Sequence, residues 1–290
     1  MDINNSSDKI ASKCFIGGCT RNCGEYIHDV FTNIIEISKL FEEVYVIISY
    51  DFSIDNTLQQ LEKQKERIKN LEIIINTEPL TNIRTKNISD ARNRIIDFIH
   101  KKYTPEWKYF IMMDMDEMCS SPINIDILYK NLLRNDWDAL SFNRKIYYDI
   151  WALSYDPFVI SCWNWGYDEF EKNNSVLNFM HVDIMEKLSK MNPDELFSCN
   201  SAFNGFAIYR MEKIIDCKYE WLSIDFEKIP VELLINSIEA FKMLPKYKSN
   251  RDDCEHREFH RQMIEKHNAR IRICPVPIFN YPSKYEDLLK

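Results

Sequence analysis

Three apolar runs constrain this chain more than any other feature: VYVIIS at 44–49, LEIIIN at 71–76 and YFIMM at 109–113. A strand that is apolar at nearly every position is covered on both faces. Strands of that kind, alternating with helices, specify a mainly parallel central sheet flanked by helices. The segments between them have helical character. Residues 25–41 place Ile27, Val30, Phe31, Ile34, Ile35, Ile37 and Leu40 at helical spacing, 57–70 reads as a charged helix, and 89–102 as a helix capped by Ser89 or Asp90. Cys14, Phe15 and Ile16 read as a further short buried strand. The fold class is α/β.

With 290 residues and 45% hydrophobic content, the chain can bury a large core without a disulfide or metal staple. It carries 37 basic and 45 acidic residues, a formal charge of -8. That balance argues against nucleic acid as a partner, because duplex binders gain affinity by neutralising phosphates. Only 5 glycines are present and neither GxxxxGK nor GxGxxG occurs, which argues against a glycine-rich phosphate cradle. Residues 1–13 form a polar tail without a leader-like apolar stretch, and no window has the length of a transmembrane segment. The 9 cysteines show no CxxC pair, and the spacing of Cys14, Cys19 and Cys23 suits neither a zinc finger nor a ribbon. The expected setting is reducing and cytoplasmic.

Residues 14–290 read as one domain, with a nucleotide-binding half at about 14–140 and an acceptor half at about 141–290. Beyond residue 140 the texture changes. Residues 137–170 are rich in Trp and Tyr without a clear period, which suggests an irregular, surface-building segment. Residues 201–209 look like a strand returning to the sheet, 230–241 and 252–267 like helices, and the end is punctuated by prolines.

The sharpest chemical signal is Asp114-Met115-Asp116-Glu117, directly after YFIMM. Open α/β sheets bind ligands beyond the carboxyl ends of their strands. Residues two apart on an extended chain share a side, so Asp114 and Asp116 converge while Glu117 points away. Two such carboxylates suit a divalent cation, Mn²⁺ or Mg²⁺, that also holds a diphosphate. Asp51 follows the strand at 44–49 and can accept from a nucleobase or ribose, while Asp55 or Asn56 can cap the next helix. Arg92, on the first turns of the helix before the DxD strand, can reach phosphate. Late in the chain, His256 and His260 share a helical face; one imidazole could complete the coordination at Asp116, and Asp253 or Glu255 could act as a general base. Tyr147, Tyr148, Trp151, Tyr155, Trp163, Trp165 and Tyr167 could pack against sugars or against one another.

The order of these pieces resembles that of GT-A-fold glycosyltransferases. The resemblance rests on IGGCTRNCGEYI ending at 27, ISYDFSIDNTL at 48–58, ISDARN at 88–93 and YFIMMDMDEM at 109–118. YYDIWALS at 147–154, SAFNGFAIYR at 201–210 and CEHREFH at 254–260 are similar to uncharacterised glycosyltransferases of giant DNA viruses, and YYDIWAL more distantly resembles the fungal capsule mannosyltransferase family. The resemblance implies that Asp51 contacts the nucleoside, Asp116 binds metal, Asp114 lies near ribose or metal, and Arg92 lies close to the nucleotide. It places Asn204 and Gly205 near the transferred sugar and makes Glu255 a candidate base; read from the residues, Tyr148, Asp149 and Trp151 are expected on the acceptor side, His260 among the metal ligands and Asp253 as the alternative base. The expected enzyme takes a UDP- or GDP-sugar as donor and a saccharide as acceptor; in a virus it would work in the host cytoplasm. DDCEH offers several acids, so retaining and inverting outcomes both stay open. A sugar-nucleotide nucleotidyltransferase and a non-catalytic binding module of the same fold are the alternatives. Against the first, only Arg21 follows Gly17 and Gly18, a poor triphosphate grip.

Overall fold

The computed structural model describes residues 9–162, 175–222, 230–241 and 252–279. Trp163, Trp165 and Tyr167 of the aromatic stretch, most of the N-terminal tail and the last eleven residues lie outside them.

Eight strands form one sheet in the order β3-β2-β1-β4-β7-β5-β8-β6. β1 (Ile10–Thr20), β2 (Phe41–Tyr50), β3 (Leu71–Ile75) and β4 (Trp107–Asp114) are parallel, with α1 (Ile27–Ser38), α2 (Thr57–Gln64) and α3 (Arg84–Lys102) between them. The chain runs outward from β1 to β3, then returns through α3 to place β4 on the other side of β1. β5 (Ala139–Phe142) and β8 (Ile271–Cys274) are parallel to one another, whereas β7 (Phe206–Arg210) runs antiparallel between β4 and β5 and β6 (Phe197–Cys199) antiparallel to β8. The helices α4 (Ile125–Leu132), α5 (Ser175–Lys190), α6 (Val231–Phe241) and α7 (Glu255–His267) complete the elements. The sheet is therefore mainly parallel, and strands from both parts of the chain belong to it.

Two apolar cores cover its faces, sorted by the strand period of two. Phe15, Phe110 and Met112 meet Ile95, Ile96 and Ile99 of α3, while Ile16, Ile111 and Met113 lie with Ile27, Val30 and Ile34 of α1. LEIII, read as doubly covered, is the edge strand β3 and is only half-buried. β1 is much longer than its three-residue signal, because Gly17, Gly18 and polar residues continue a strand that the apolar pattern does not mark.

Other boundaries move for physical reasons. α3 begins at Arg84, so Ser89 is no cap; its hydroxyl instead donates to the Tyr219 carbonyl at 2.8 Å. Arg92 consequently lies in the middle of the helix. α2 ends at Gln64, short of the charged run. Within the stretch 137–170 expected to be irregular, β5 is a strand, while the described residues 143–162 form no surface layer: Tyr147 and Tyr155 are fully buried. Arg257 of α7 holds this segment, donating to the carbonyls of Leu153 at 2.9 Å and Val159 at 2.7 Å.

Candidate active site

The strand order reverses between β1 and β4, and a cavity of about 710 Å³ opens there at the carboxyl ends of the strands. This is the position where doubly wound sheets take ligands. Its wall includes Cys19 and Thr20 from β1, Asp51 after β2, Asp114 and Asp116 at the end of β4, Asp149 and Trp151, and Glu255 and His256 at the start of α7.

Each acid is held differently. Asp114 accepts a hydrogen bond from the Tyr148 hydroxyl at 2.6 Å, and its other oxygen is 3.7 Å from the Arg92 guanidinium. Asp116 caps the short turn Glu117–Cys119, accepting from the Met118 amide at 2.9 Å. Burial, and then the charge of Asp114, push the Asp116 carboxyl up to about 6. Glu117 does not line the cavity. Asp51 is buried and accepts from Arg94 at 2.7 Å. Asp55 rather than Asn56 secures the start of α2, accepting from the Thr57 amide at 3.0 Å and from Gly24 at 3.0 Å.

The centre of the site is a buried charge cluster. Arg92 hydrogen-bonds both the Glu255 carboxylate and Nε2 of His256, and its guanidinium lies 4.7 Å from the Phe203 ring centroid. His256 stacks on Phe203 with centroids 3.9 Å apart. Burial, reinforced by Arg92, holds His256 well below the ordinary histidine range, so Nε2 is an acceptor. The cation expected to meet phosphate is thus already engaged by protein groups.

Asp149 is the lining acid with the least claim on it. Its carboxylate accepts one long bond from the Ala152 amide at 3.3 Å, and no described cation forms an ion pair with it. Burial, then the charges of Asp114 and Glu255, raise it to about 7.

Asn204 and Gly205 make a tight turn immediately before β7, with φ of 55° and 85°. The Asn204 side chain donates to the Phe142 carbonyl at 3.0 Å and accepts from the Tyr148 amide at 3.2 Å, while the Gly205 carbonyl accepts from the Asp114 amide at 2.8 Å. A Cβ on Gly205 would stand 2.7 Å from the Tyr148 hydroxyl. Neither residue lines the cavity; the turn braces Asp114 and Tyr148 from behind.

Two expectations need correction. His260 does not join Asp116: it is fully buried, with Nδ1 at 2.9 Å from the Ser201 hydroxyl and Nε2 at 3.2 Å from the Tyr209 hydroxyl, and it is absent from the cavity wall. Its position four residues after His256 puts it one turn deeper into the core. Asp253 is likewise outside the cavity, with its carboxylate held by Arg257 at 3.0 Å and Ser161 at 2.7 Å.

Arg84 and Arg144 were not legible as site residues, and Arg21 only as a poor triphosphate grip. Arg84 and Arg21 are exposed on the cavity wall, and neither has a described ion pair. Arg144 is buried behind the acids, donating to the Asn204 carbonyl at 2.9 Å, and its charge lowers the Asp116 carboxyl against the larger effects above. Nothing in the local pattern separates Arg84 or Arg144 from surface arginines; only the return of the sheet brings them to the acids.

No protein-family model matches the sequence, and no curated protein matches it. Solved structures give weak similarities. Staphylococcus aureus TarS 1-349 aligns over 95% of this chain and 62% of that chain, at 16% identity and TM-score 0.48. The mannosyltransferase PcManGT from Pyrobaculum calidifontis, solved with GDP-Man and Mn²⁺, aligns over 72% of this chain and 47% of that chain at 13% identity and TM-score 0.41. Glucosyl-3-phosphoglycerate synthase from Mycobacterium tuberculosis, solved with Mn²⁺, UDP and phosphoglyceric acid, aligns over 79% and 65% at 11% identity and TM-score 0.40. The chain spans less than two thirds of the length of each, and at these scores the likeness assigns no residue a role.

Proposed function

We propose that this chain is a metal-dependent glycosyltransferase of GT-A type, moving a sugar from a UDP- or GDP-sugar to a hydroxyl of a saccharide or glycoside. The observation that carries the reading is the meeting of Asp114 and Asp116 with Asp51 in one cavity at the strand-order reversal. Oxygen donors of this kind fit Mn²⁺ or Mg²⁺, and the raised Asp116 carboxyl marks negative charge that the protein leaves uncompensated. When bound there, such an ion supplies positive charge to a departing diphosphate.

The chain's own residues do the rest. Asp51, fixed by Arg94, accepts from the nucleoside. Arg84 and Arg21 are available to the phosphates, whereas Arg92 holds Asp114 and Glu255 in place. Trp151, partly exposed on the wall beside Asp149, offers an apolar face to the acceptor sugar. Asp149 takes the proton of the acceptor hydroxyl as that oxygen bonds to the anomeric carbon and the bond to the diphosphate breaks, its electron pair leaving with the diphosphate. A carboxyl near 7 is matched to that task at neutral pH. Glu255, the base expected from the sequence, is instead engaged by Arg92.

The test is a thermal-shift series with UDP and GDP, each with and without Mn²⁺. The reading expects one nucleotide to raise the melting temperature only with Mn²⁺, and Asp116→Ala to abolish that shift while folding normally. A shift that survives Asp116→Ala, or none with either nucleotide, sinks it.

A further inference from the structure

At the opposite end of the strands from that cavity's acids, beyond the Tyr109–Arg210 end of the β4–β7 pair, three unlike ligand groups meet. Asp216 and Cys217 lie in the turn that follows the short helix Met211–Lys213, and His267 is the last residue of α7. His267 Nε2 is 2.6 Å from Asp216 Oδ1, Cys217 Sγ is 3.8 Å from the same oxygen, and all three donor atoms lie within 4.8 Å of one another. From these positions we propose that Asp216, Cys217 and His267 form a metal site for zinc or a similarly thiophilic divalent cation, separate from the acidic cavity.

Distance is the first argument. Tetrahedral zinc, with ligands at about 2.0–2.3 Å, holds its donor atoms roughly 3.3–3.8 Å apart. The sulfur–oxygen distance already meets this. The oxygen–nitrogen pair must open by several tenths of an ångström, and no donor atom of the three lies more than 4.8 Å from another.

The backbone is held in place before any ion arrives. Lys266 donates to the Asp216 carbonyl at 2.6 Å, and Lys213 to the His267 carbonyl at 3.0 Å. The Lys218 amide donates to Gln262 at 3.1 Å, the Gln262 amide returns to the Lys218 carbonyl at 2.9 Å, and the Cys217 amide donates to Ile214 at 2.9 Å. The turn and the last two turns of α7 are thereby locked to each other, which limits the ordering cost of binding.

Donor chemistry and charge agree. Thiolate with imidazole selects zinc over magnesium or calcium. One carboxylate and one thiolate neutralise a dication, while the neighbouring Lys213 and Lys266 ammonium groups are occupied by carbonyls. Binding requires the thiol to give up its proton and the imidazole to present Nε2 without one. Asp216 is exposed and Cys217 buried, so the fourth position faces solvent and takes water. The ion would clip the 214–218 turn to the far end of the helix whose first residues are Glu255 and His256.

The test uses the full chain freed of metal and titrated with Co²⁺, then Zn²⁺ in competition. We expect one equivalent of Co²⁺ to give a sulfur-to-cobalt charge-transfer band, which Zn²⁺ bleaches. The band should vanish in Cys217→Ser, persist in Asp116→Ala, and require at least tenfold more Co²⁺ in the surface variant Asp216→Asn. Absence of the band in the wild type, its survival in Cys217→Ser, or an unchanged titration in Asp216→Asn overturns the proposal. Since none of these readouts involves a nucleotide, the result is independent of the glycosyltransferase reading.

Discussion

At the scale of single residues, the site depends on groups that never touch its cavity. Gly205 has a left-handed φ of 85° and no room for a Cβ, so Gly205→Ala should cost about 1–3 kcal/mol. It should also displace Tyr148 from Asp114. A melting temperature lowered by several degrees, together with a weakened Mn²⁺-dependent nucleotide shift, is the expected result. Asp149→Asn should do the opposite: it keeps the nucleotide shift but lowers the transfer rate by about 10²–10⁴-fold, measured as release of nucleotide diphosphate in the presence of acceptor. Retained transfer would remove Asp149 as the base. The acidic pair after YFIMM was legible because an apolar strand delivers whatever follows it to the sheet's rim. The fates of Asp253 and His260 were not. Both lie within a few residues of Glu255, but Asp253 precedes α7, and Phe259 and Met263, which mark the helix's buried face, do not tell which neighbouring polar residue reaches the cavity and which is sealed in the core.

At the scale of elements, the parallel half of the sheet could be read from its apolar runs, while β5, β6 and β8 could not. They are only 3 or 4 residues long and differ little from neighbouring loops in composition. Their pairing is tertiary information. Residues 143–162, after β5, show what replaces regular structure there: the Arg257 guanidinium supplies the hydrogen bonds that a strand would have supplied, and its charge is matched by Asp253. Arg257→Met removes the partner of a buried carboxylate and two carbonyls at once. The expected cost is about 3–5 kcal/mol, with faster amide exchange across residues 153–161 than elsewhere; uniform change over the whole chain would contradict this local role.

At the scale of the whole molecule, buried neutral histidines make stability depend on pH. Burial, then Arg92, lowers His260 to about 3 against an ordinary 6.5. Below pH 6.5 the unfolded chain therefore binds a proton that the native state refuses. The stability this group permits is complete above its unfolded value and is lost as pH falls, by about 2 kcal/mol between pH 7 and 5. His256 acts in the same direction. Asp116 and Asp149, raised to about 6 and about 7, act oppositely, since their native forms hold protons that the unfolded chain has released. The difference between wild type and His260→Gln isolates the histidine: the variant should lose less stability on acidification, read from urea midpoints at the two pH values. Parallel profiles would show that His260 is not the proton acceptor.

The antiparallel strand β7 has a consequence for how the chain can be made. It is the keystone between β4 and β5, yet it comes after both in the order of synthesis, with over sixty residues intervening after β5. Until residue 210 is available, the edge of β4 that carries Tyr109 to Met113 stays unpaired, and β5 has no neighbour on which to add. Such an apolar edge invites pairing with other chains. The portion holding Asp51, Asp114 and Asp116 is thus not a detachable module: assembly must wait for a late, non-local closure, and the acidic rim takes its final form only when Gly205 arrives beside Asp114.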